Sequence, residues 1–154
     1  MPVHRETRIL PHRCDQFFDL VADVESYPAF LPLWRRARIY RRQGDVYYTE
    51  QEIGAGPVMT QRFRSRTKLD RPTDIEVTSD EGIFKQFRVH WHFETTPNDG
   101  CRVDFEMSCE ARSFIMTQIM DLMLLATARS MVEAFEERAR EIYGAGAASR
   151  PPPP

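Results

Sequence analysis

The longest regular pattern in the chain runs from about Phe114 to Tyr143 without a Gly or Pro. Within it Leu124, Ala128, Met131, Phe135, Ala139 and Ile142 recur at steps of three and four, which predicts one apolar stripe along a helix. The carboxyl half is amphipathic. Glu133, Glu136, Glu137, Arg138, Arg140 and Glu141 fill its other faces, with Glu136 and Arg140 paired at i,i+4 and Glu133 and Glu137 repelling. Gly144 supplies the stop. The amino half is apolar on nearly every face: Phe114, Ile115, Met116, Ile119, Met120, Leu122, Met123, Leu124 and Leu125. Such a helix is buried all round or lines something apolar that is not protein. Thr117, Gln118 and Asp121 interrupt it too often for a membrane span. Met116, Met120 and Met123 are flexible and polarizable, and suit either core gaps or a variable apolar ligand.

Before this helix the periods are shorter. Val3, Arg5, Thr7 and Ile9 alternate with His4, Glu6 and Arg8, which predicts a first strand. Pro11 then opens a helix carrying Phe17, Phe18, Leu20 and Val21. A second short helical piece, Val24 to Tyr27, should stop at Pro28. Phe30, Leu31, Pro32, Leu33 and Trp34 form an apolar cluster in irregular chain. From there to Arg112 turn-forming breaks divide the chain into six strands of hairpin connectivity; the clearest break is Pro97-Asn98-Asp99-Gly100. In the last two strands Phe87, Val89, Trp91, Phe93, Val103, Phe105, Met107 and Cys109 share one face. Gln86, Arg88, His90, His92, Glu94, Arg102, Asp104, Glu106, Ser108 and Glu110 share the other. The apolar face needs a cover, which only the carboxyl-terminal helix is large enough to provide, and the first strand should lie beside the last. These elements define an α+β class and one domain over residues 1–144, followed by a disordered Ala/Pro-rich tail over 145–154.

Composition narrows the class. A net charge of −2 argues against a protein that is basic overall and binds nucleic acid by bulk charge. Of the 21 basic residues only Lys68 and Lys85 are lysine. Cys14, Cys101 and Cys109 are odd in number and lack metal spacing; with no apolar leader over Met1 to Arg13, they predict a cytoplasmic protein with small buried thiols.

Candidate chemistry is sparse. His90 and His92 share a strand face, but it is the charged one, and they read as a solvent-exposed pair. No nucleophile elbow, P-loop or dinucleotide fingerprint occurs, so no enzyme is nominated. Gln61, Ser65 and Thr67 are the polar residues expected inside a cavity, where a cyclase or hydrolase would need them. Arg35, Arg36, Arg38, Arg41 and Arg42 form a basic run after the aromatic cluster, with Arg35, Arg36 and Arg38 the candidates for surface docking on anionic lipid or RNA.

The order strand, two short helices, six strands, long helix resembles the helix-grip fold of the START-like superfamily. It is most similar to the coenzyme-Q-binding branch, which includes ribosome-association toxins and polyketide cyclase/dehydrase-like proteins. The resemblance is carried by Phe17-Phe18-Asp19-Leu20-Val21, Asp23 to Pro32, Phe63-Arg64-Ser65-Arg66, Gly82-Ile83-Phe84-Lys85, Trp91-His92-Phe93, Cys101 to Phe105 and Met131 to Phe135 with Arg138-Ala139. Relatives often place Trp or Gly directly after Leu-Pro, where Leu33 intervenes here, and an aromatic in the turn where this chain has Ala55. The resemblance implies an antiparallel sheet of about seven strands wrapped around the long helix. It also implies non-enzymatic binding of ubiquinone (coenzyme Q) or a similar polyprenyl lipid between them, in support of respiratory quinone function, with no further cofactor. The expected lining is Tyr27, Phe30, Leu31, Pro32, Trp34, Phe63, Phe87, Trp91, Phe105, Met116, Ile119, Met120 and Met123. A monomer with peripheral contact to the inner membrane is expected. The alternatives are a ribosome-associated translation inhibitor using the arginine surface, and a cyclase or hydrolase on the same fold.

Overall fold

The computed structural model describes residues 3–31, 33–54, 60–81, 84–114, 117–118 and 129–144. Seven strands form one antiparallel sheet: β1 (Val3–Leu10), β2 (Trp34–Gln43), β3 (Val46–Gly54), β4 (Thr60–Asp70), β5 (Asp74–Ser79), β6 (Phe84–Thr95) and β7 (Cys101–Ala111). Their order is β1-β7-β6-β5-β4-β3-β2, so β2 to β7 follow one another by hairpins and β1 closes beside β7, as the sequence predicts. The β6–β7 register sets Val89 against Met107, Trp91 against Phe105 and Phe93 against Val103, all six buried. Their turn places Asp99 at φ 65, a conformation Asp tolerates.

Helix α1 (Cys14–Ala22) starts three residues later than Pro11 suggests, because the Arg13 amide donates to the Gln16 side chain (3.3 Å) and caps the first turn there. Phe17, Phe18, Leu20 and Val21 are buried on the sheet. The next piece is a 3₁₀ helix over Val24–Ala29, which runs past the stop expected at Pro28. In this tighter helix Pro28 removes no interior α-type hydrogen bond.

The described part of the long carboxyl-terminal element is α2 (Arg129–Tyr143), closed by Gly144 at φ 77. Met131, Val132, Phe135 and Ala139 are buried against the sheet and α1. Two residues assigned to apolar faces are exposed instead. Ile142 is 50 % exposed because the stripe passes from Ala139 to Tyr143, one residue further round, and Tyr143 packs on the core. Phe114, three residues beyond the end of β7, is 76 % exposed. Residues Ile115, Met116 and Ile119 to Ala128, and the tail beyond Gly144, lie outside the described residues.

On β1 the inward parity is the charged one. Arg8 bonds Glu6 (2.5 Å) and reaches across to Glu133 (3.1 Å) and Glu136 (3.3 Å) on α2, whereas Val3 and Ile9 face solvent. Ion pairing to the helix thus decides which face of the strand turns in. Buried His12 places Nε2 2.9 Å from the Gly144 carbonyl, tying the start of the chain to the end of α2. Cys14, Cys101 and Cys109 form no disulfide and are buried, as small apolar residues would be.

Candidate functional site: an apolar space with one polar side

The inner face of the sheet, the 3₁₀ helix and α2 border a partly open cavity of about 40 Å³. Val24 and Tyr27 close it from the 3₁₀ helix, Met131 and Phe135 from α2. Trp34, Tyr47, Gln51, Phe63, Thr67, Val77, Phe87, Val89 and Trp91 form its floor on the sheet. Alternation explains the floor, since inward positions on β4 to β6 carry aromatic or branched side chains. Phe135 is the hub: the rings of Tyr27, Phe30 and Trp91 lie 5.3, 5.2 and 5.2 Å from it, all near perpendicular.

Of the residues expected in the lining, Tyr27, Trp34, Phe63, Phe87 and Trp91 do line this space. Phe30 sits behind it, on Phe135 and beneath Arg138 (5.4 Å). Leu31 is 4 % exposed and packs in the core. Phe105 packs edge-on beneath Trp91 (4.6 Å), one layer away from the cavity. Pro32, Met116, Ile119, Met120 and Met123 lie outside the described residues.

The β3 side of the space is polar, and the sequence reading anticipated it only in part, through Ser65 and Thr67. Thr49, Gln51, Ser65 and Thr67 are all buried. Trp34 Nε1 donates to Gln51 Oε1 (2.8 Å), and Gln51 Nε2 donates to Thr49 Oγ1 (2.9 Å) and Ser65 Oγ (3.1 Å). Tyr47 donates to the Ala22 carbonyl (2.8 Å). Burial pushes the Tyr47 phenol up to about 12, against the opposing pull of a Thr67 hydrogen bond and Arg42. Tyr27 donates to the Val21 carbonyl, and its phenol is held well above the usual range by burial, then by Tyr47 and Asp23. Both tyrosines are therefore neutral donors near the cavity. Thr67 lines the cavity as expected, Ser65 is buried behind it as a partner of Gln51, Gln61 is half-buried opposite Ile53, and the lining amide is Gln51.

The outer face is different in kind. Phe63, Ser65 and Thr67 turn in on β4, so Arg62, Arg64, Arg66 and Lys68 all turn out. Arg38 and Arg64 each approach Glu50 at 3.7 Å, and Arg62 approaches Glu52 at 3.5 Å. Arg64 lies over the Tyr40 ring (5.2 Å) and Arg41 over Tyr48 (5.3 Å), beside an open groove of about 390 Å³. Arg35 and Arg36 are exposed on β2 and have no ion partner among the described residues.

His90 and His92 are not a free exposed pair. Sheet register brings Asp74 of β5 between them, 2.7 Å from His90 Nε2 and 3.2 Å from His92 Nδ1. Burial lowers His92, but hydrogen bonds to Asp74 and Glu94 outweigh it and its pKa rises. Burial raises Asp74, and hydrogen bonds from Thr73, His90 and His92 outweigh that and lower it. Among the described residues no group of three or more His, Cys, Asp or Glu is arranged to hold a metal ion, and no helix is long and apolar enough to cross a membrane.

Comparison with known proteins places this architecture. The chain is 26 % identical over 140 residues to the ribosome association toxin RatA of Pseudomonas aeruginosa, covering 91 % of this chain and 96 % of the toxin. It is 27 % identical over 144 residues to the mitochondrial coenzyme Q-binding protein COQ10 homolog B of Xenopus laevis, covering 92 % of this chain but 59 % of that protein. A START superfamily protein from Mycobacterium smegmatis superposes with a TM-score of 0.77 at 14 % identity, covering 91 % of this chain and 98 % of the other, which shows the shared fold. The family described as polyketide cyclase / dehydrase and lipid transport matches residues 10–136. With seven strands gripping a carboxyl-terminal helix, the chain is a START-like protein and belongs to that family.

Proposed function

We propose that this chain binds an apolar molecule in the space between the inner sheet face and α2, that the molecule is a polyprenyl quinone of the ubiquinone type, and that it is held rather than converted. The observation that carries the proposal is the apolar wall of Tyr27, Trp34, Phe63, Phe87, Val89, Trp91, Met131 and Phe135. Burying hydrocarbon there contributes about 25 cal/mol per Å². The coenzyme Q-binding name of the Xenopus relative supports the ligand class. At about 40 Å³ the space between the described residues is smaller than such a ligand, and side chains of the wall would give way to admit it. Met131, unbranched and soft, is suited to do so. Among the described residues the wall holds no charged acid or base, which favours holding over turnover. The chain has two tryptophans, Trp34 and Trp91, and both line the space. Titration with decylubiquinone should quench their fluorescence saturably at one site per chain; unquenched tryptophans at ligand excess refute the proposal.

A second reading, ribosome association, rests on a separate observation. Arg62, Arg64, Arg66 and Lys68 with Arg36, Arg38 and Arg41 make the outer face of β2 to β4 basic although the chain is net acidic, and Tyr40 and Tyr48 lie among them. Interleaved cations and aromatic faces suit single-stranded RNA. Co-sedimentation with ribosomal subunits that weakens with salt and is lost in Arg64→Glu/Arg66→Glu would support this role. Salt-insensitive or unchanged sedimentation would refute it.

A further inference from the structure

Several cations of the outer sheet face are spent on carboxylates: Arg62 on Glu52, Arg64 on Glu50, Arg88 on Glu76. Arg66 is exposed and has no ion partner among the described residues. It lies in the open groove of about 390 Å³, a volume within the range of small-molecule sites. Strand register sets its neighbours: Tyr48 of β3 on one side, Thr78 of β5 on the other, and Arg88 of β6 beyond Thr78. Tyr48, Arg66, Thr78 and Arg88 thus form one line across the sheet, and all four line the groove. Paired strands lie about 4.8 Å apart, so the two arginines flank Thr78 within reach of a shared ligand. Arg88 meets Glu76 and Glu106 through its two terminal nitrogens, and a guanidinium with five N–H donors keeps others for a third acceptor. Two guanidinium groups beside a hydroxyl make a seat for a phosphate. On the far side of Arg66 the Tyr48 and Tyr40 rings lie 6.4 Å apart, with Arg41 and Arg64 over them. A planar base stacks on aromatic and guanidinium planes alike. Asp80 and Glu81, in the turn after β5, line the same groove. They repel a second phosphate and accept hydrogen bonds from sugar hydroxyls or a ring amine.

We infer that this groove takes one nucleotide unit, a single phosphate ester joined to a planar base, with the phosphate among Arg66, Thr78 and Arg88 and the base against Tyr48 and Tyr40. The inference goes beyond the ribosome reading, because a free nucleotide meets the same groups as one unit of an RNA strand. A phosphate alone leaves the rings unused. A run of phosphates meets the carboxylates of Asp80 and Glu81.

Wild type, Arg66→Gln, Tyr48→Ala and Arg102→Gln are titrated by calorimetry with AMP, adenosine, inorganic phosphate, ATP and an adenylate hexamer. AMP should bind one to one, about tenfold tighter than adenosine or phosphate, and ATP no tighter than AMP. Arg66→Gln should weaken AMP by about tenfold. Tyr48→Ala should weaken AMP by about tenfold and leave phosphate within about twofold. Arg102→Gln removes the same charge from the outer face of β7, away from the groove, and should leave AMP within about twofold. Thermal melts check that each variant is folded; should Tyr48→Ala fail, Arg66→Gln against Arg102→Gln decides. AMP bound no tighter than phosphate, ATP bound tighter than AMP, or equal losses in Arg66→Gln and Arg102→Gln would each overturn the seat. A hexamer bound at least about tenfold tighter than AMP, and weakened by Arg66→Gln, assigns the unit to an RNA strand. A hexamer no tighter than AMP assigns it to a free nucleotide, and either result upholds the seat. AMP binding without ribosome co-sedimentation refutes the ribosome reading alone; co-sedimentation without AMP binding refutes the seat alone.

Discussion

Replacing Phe135 with Ala should cost about 4–5 kcal/mol, the upper part of the range for emptying a buried phenylalanine site. Its ring is 1 % exposed and meets Tyr27 and Phe30 beside the 3₁₀ helix, Trp91 on β6 and Phe17 on α1 (6.3 Å). Each well-oriented aromatic pair adds about 0.5–1.5 kcal/mol beyond area burial, and the substitution removes several at once. The ring also walls the existing cavity, so its loss enlarges a void that rigid neighbours cannot close. Phe17→Ala is the matched control: the site is 0 % exposed, touches Trp91 (6.2 Å) and Phe93 (5.9 Å), and takes no part in the cavity wall. Urea melts of the ligand-free variants should show comparable losses. With so large a share of a domain's usual 5–15 kcal/mol removed, both will be marginal. Decylubiquinone at a hundredfold excess over Kd should return about 2.7 kcal/mol to a variant that binds it as wild type does. Phe135→Ala should recover more than Phe17→Ala, because the enlarged space no longer has to be opened by displacing a ring. A loss below about 2 kcal/mol for Phe135→Ala would refute its place at the centre of the cluster. Equal rescue of the two variants would refute the location of the ligand.

Two further outcomes test local features. Asp74, lowered from 3.8, contributes stability above that value that disappears as pH falls through its folded pKa; His92, raised from 6.5, contributes stability below that value that disappears as pH rises through its folded pKa. Urea melts should therefore show a plateau between those two values and a shoulder above 6.5 that shrinks in Asp74→Asn; an unchanged shoulder would mean that the ion pair does not set it. Leu33 sits at φ 73, where a side chain costs roughly 1–2 kcal/mol that Gly escapes. Leu33→Gly should consequently be less destabilising than Leu33→Ala in thermal melts, the reverse of the usual order, and the usual order would show that Leu33 packing outweighs the strain.

The sheet and its order were legible because alternation is strong where one face is apolar and the other charged, as on β6 and β7. The aromatic floor followed from the same alternation. The buried polar cluster followed only in part, Ser65 and Thr67 but not Thr49 and Gln51, since these two alternate with Tyr48, Glu50 and Glu52, and a period of two carries no hydrophobic signal when both faces are polar. Sequence-local reading missed the Asp74 bridge between His90 and His92 because it depends on the β5–β6 register. On β1 the hydrophobic residues pointed the wrong way: Arg8, with carboxylates waiting on α2, claimed the inner face and left Ile9 outside. The departure at Leu33 was visible in the residues, but its positive φ was not.

The central claim is that the fold closes on an apolar molecule, and mass spectrometry of organic extracts from the purified protein tests it most directly. The account predicts a polyprenyl quinone, enriched over the host's bulk lipid and approaching one per chain. It also predicts that the quinone is retained in Phe135→Ala, whose space is enlarged rather than lost. An extract with only the background lipid profile, from protein that also takes up no added quinone, would contradict it.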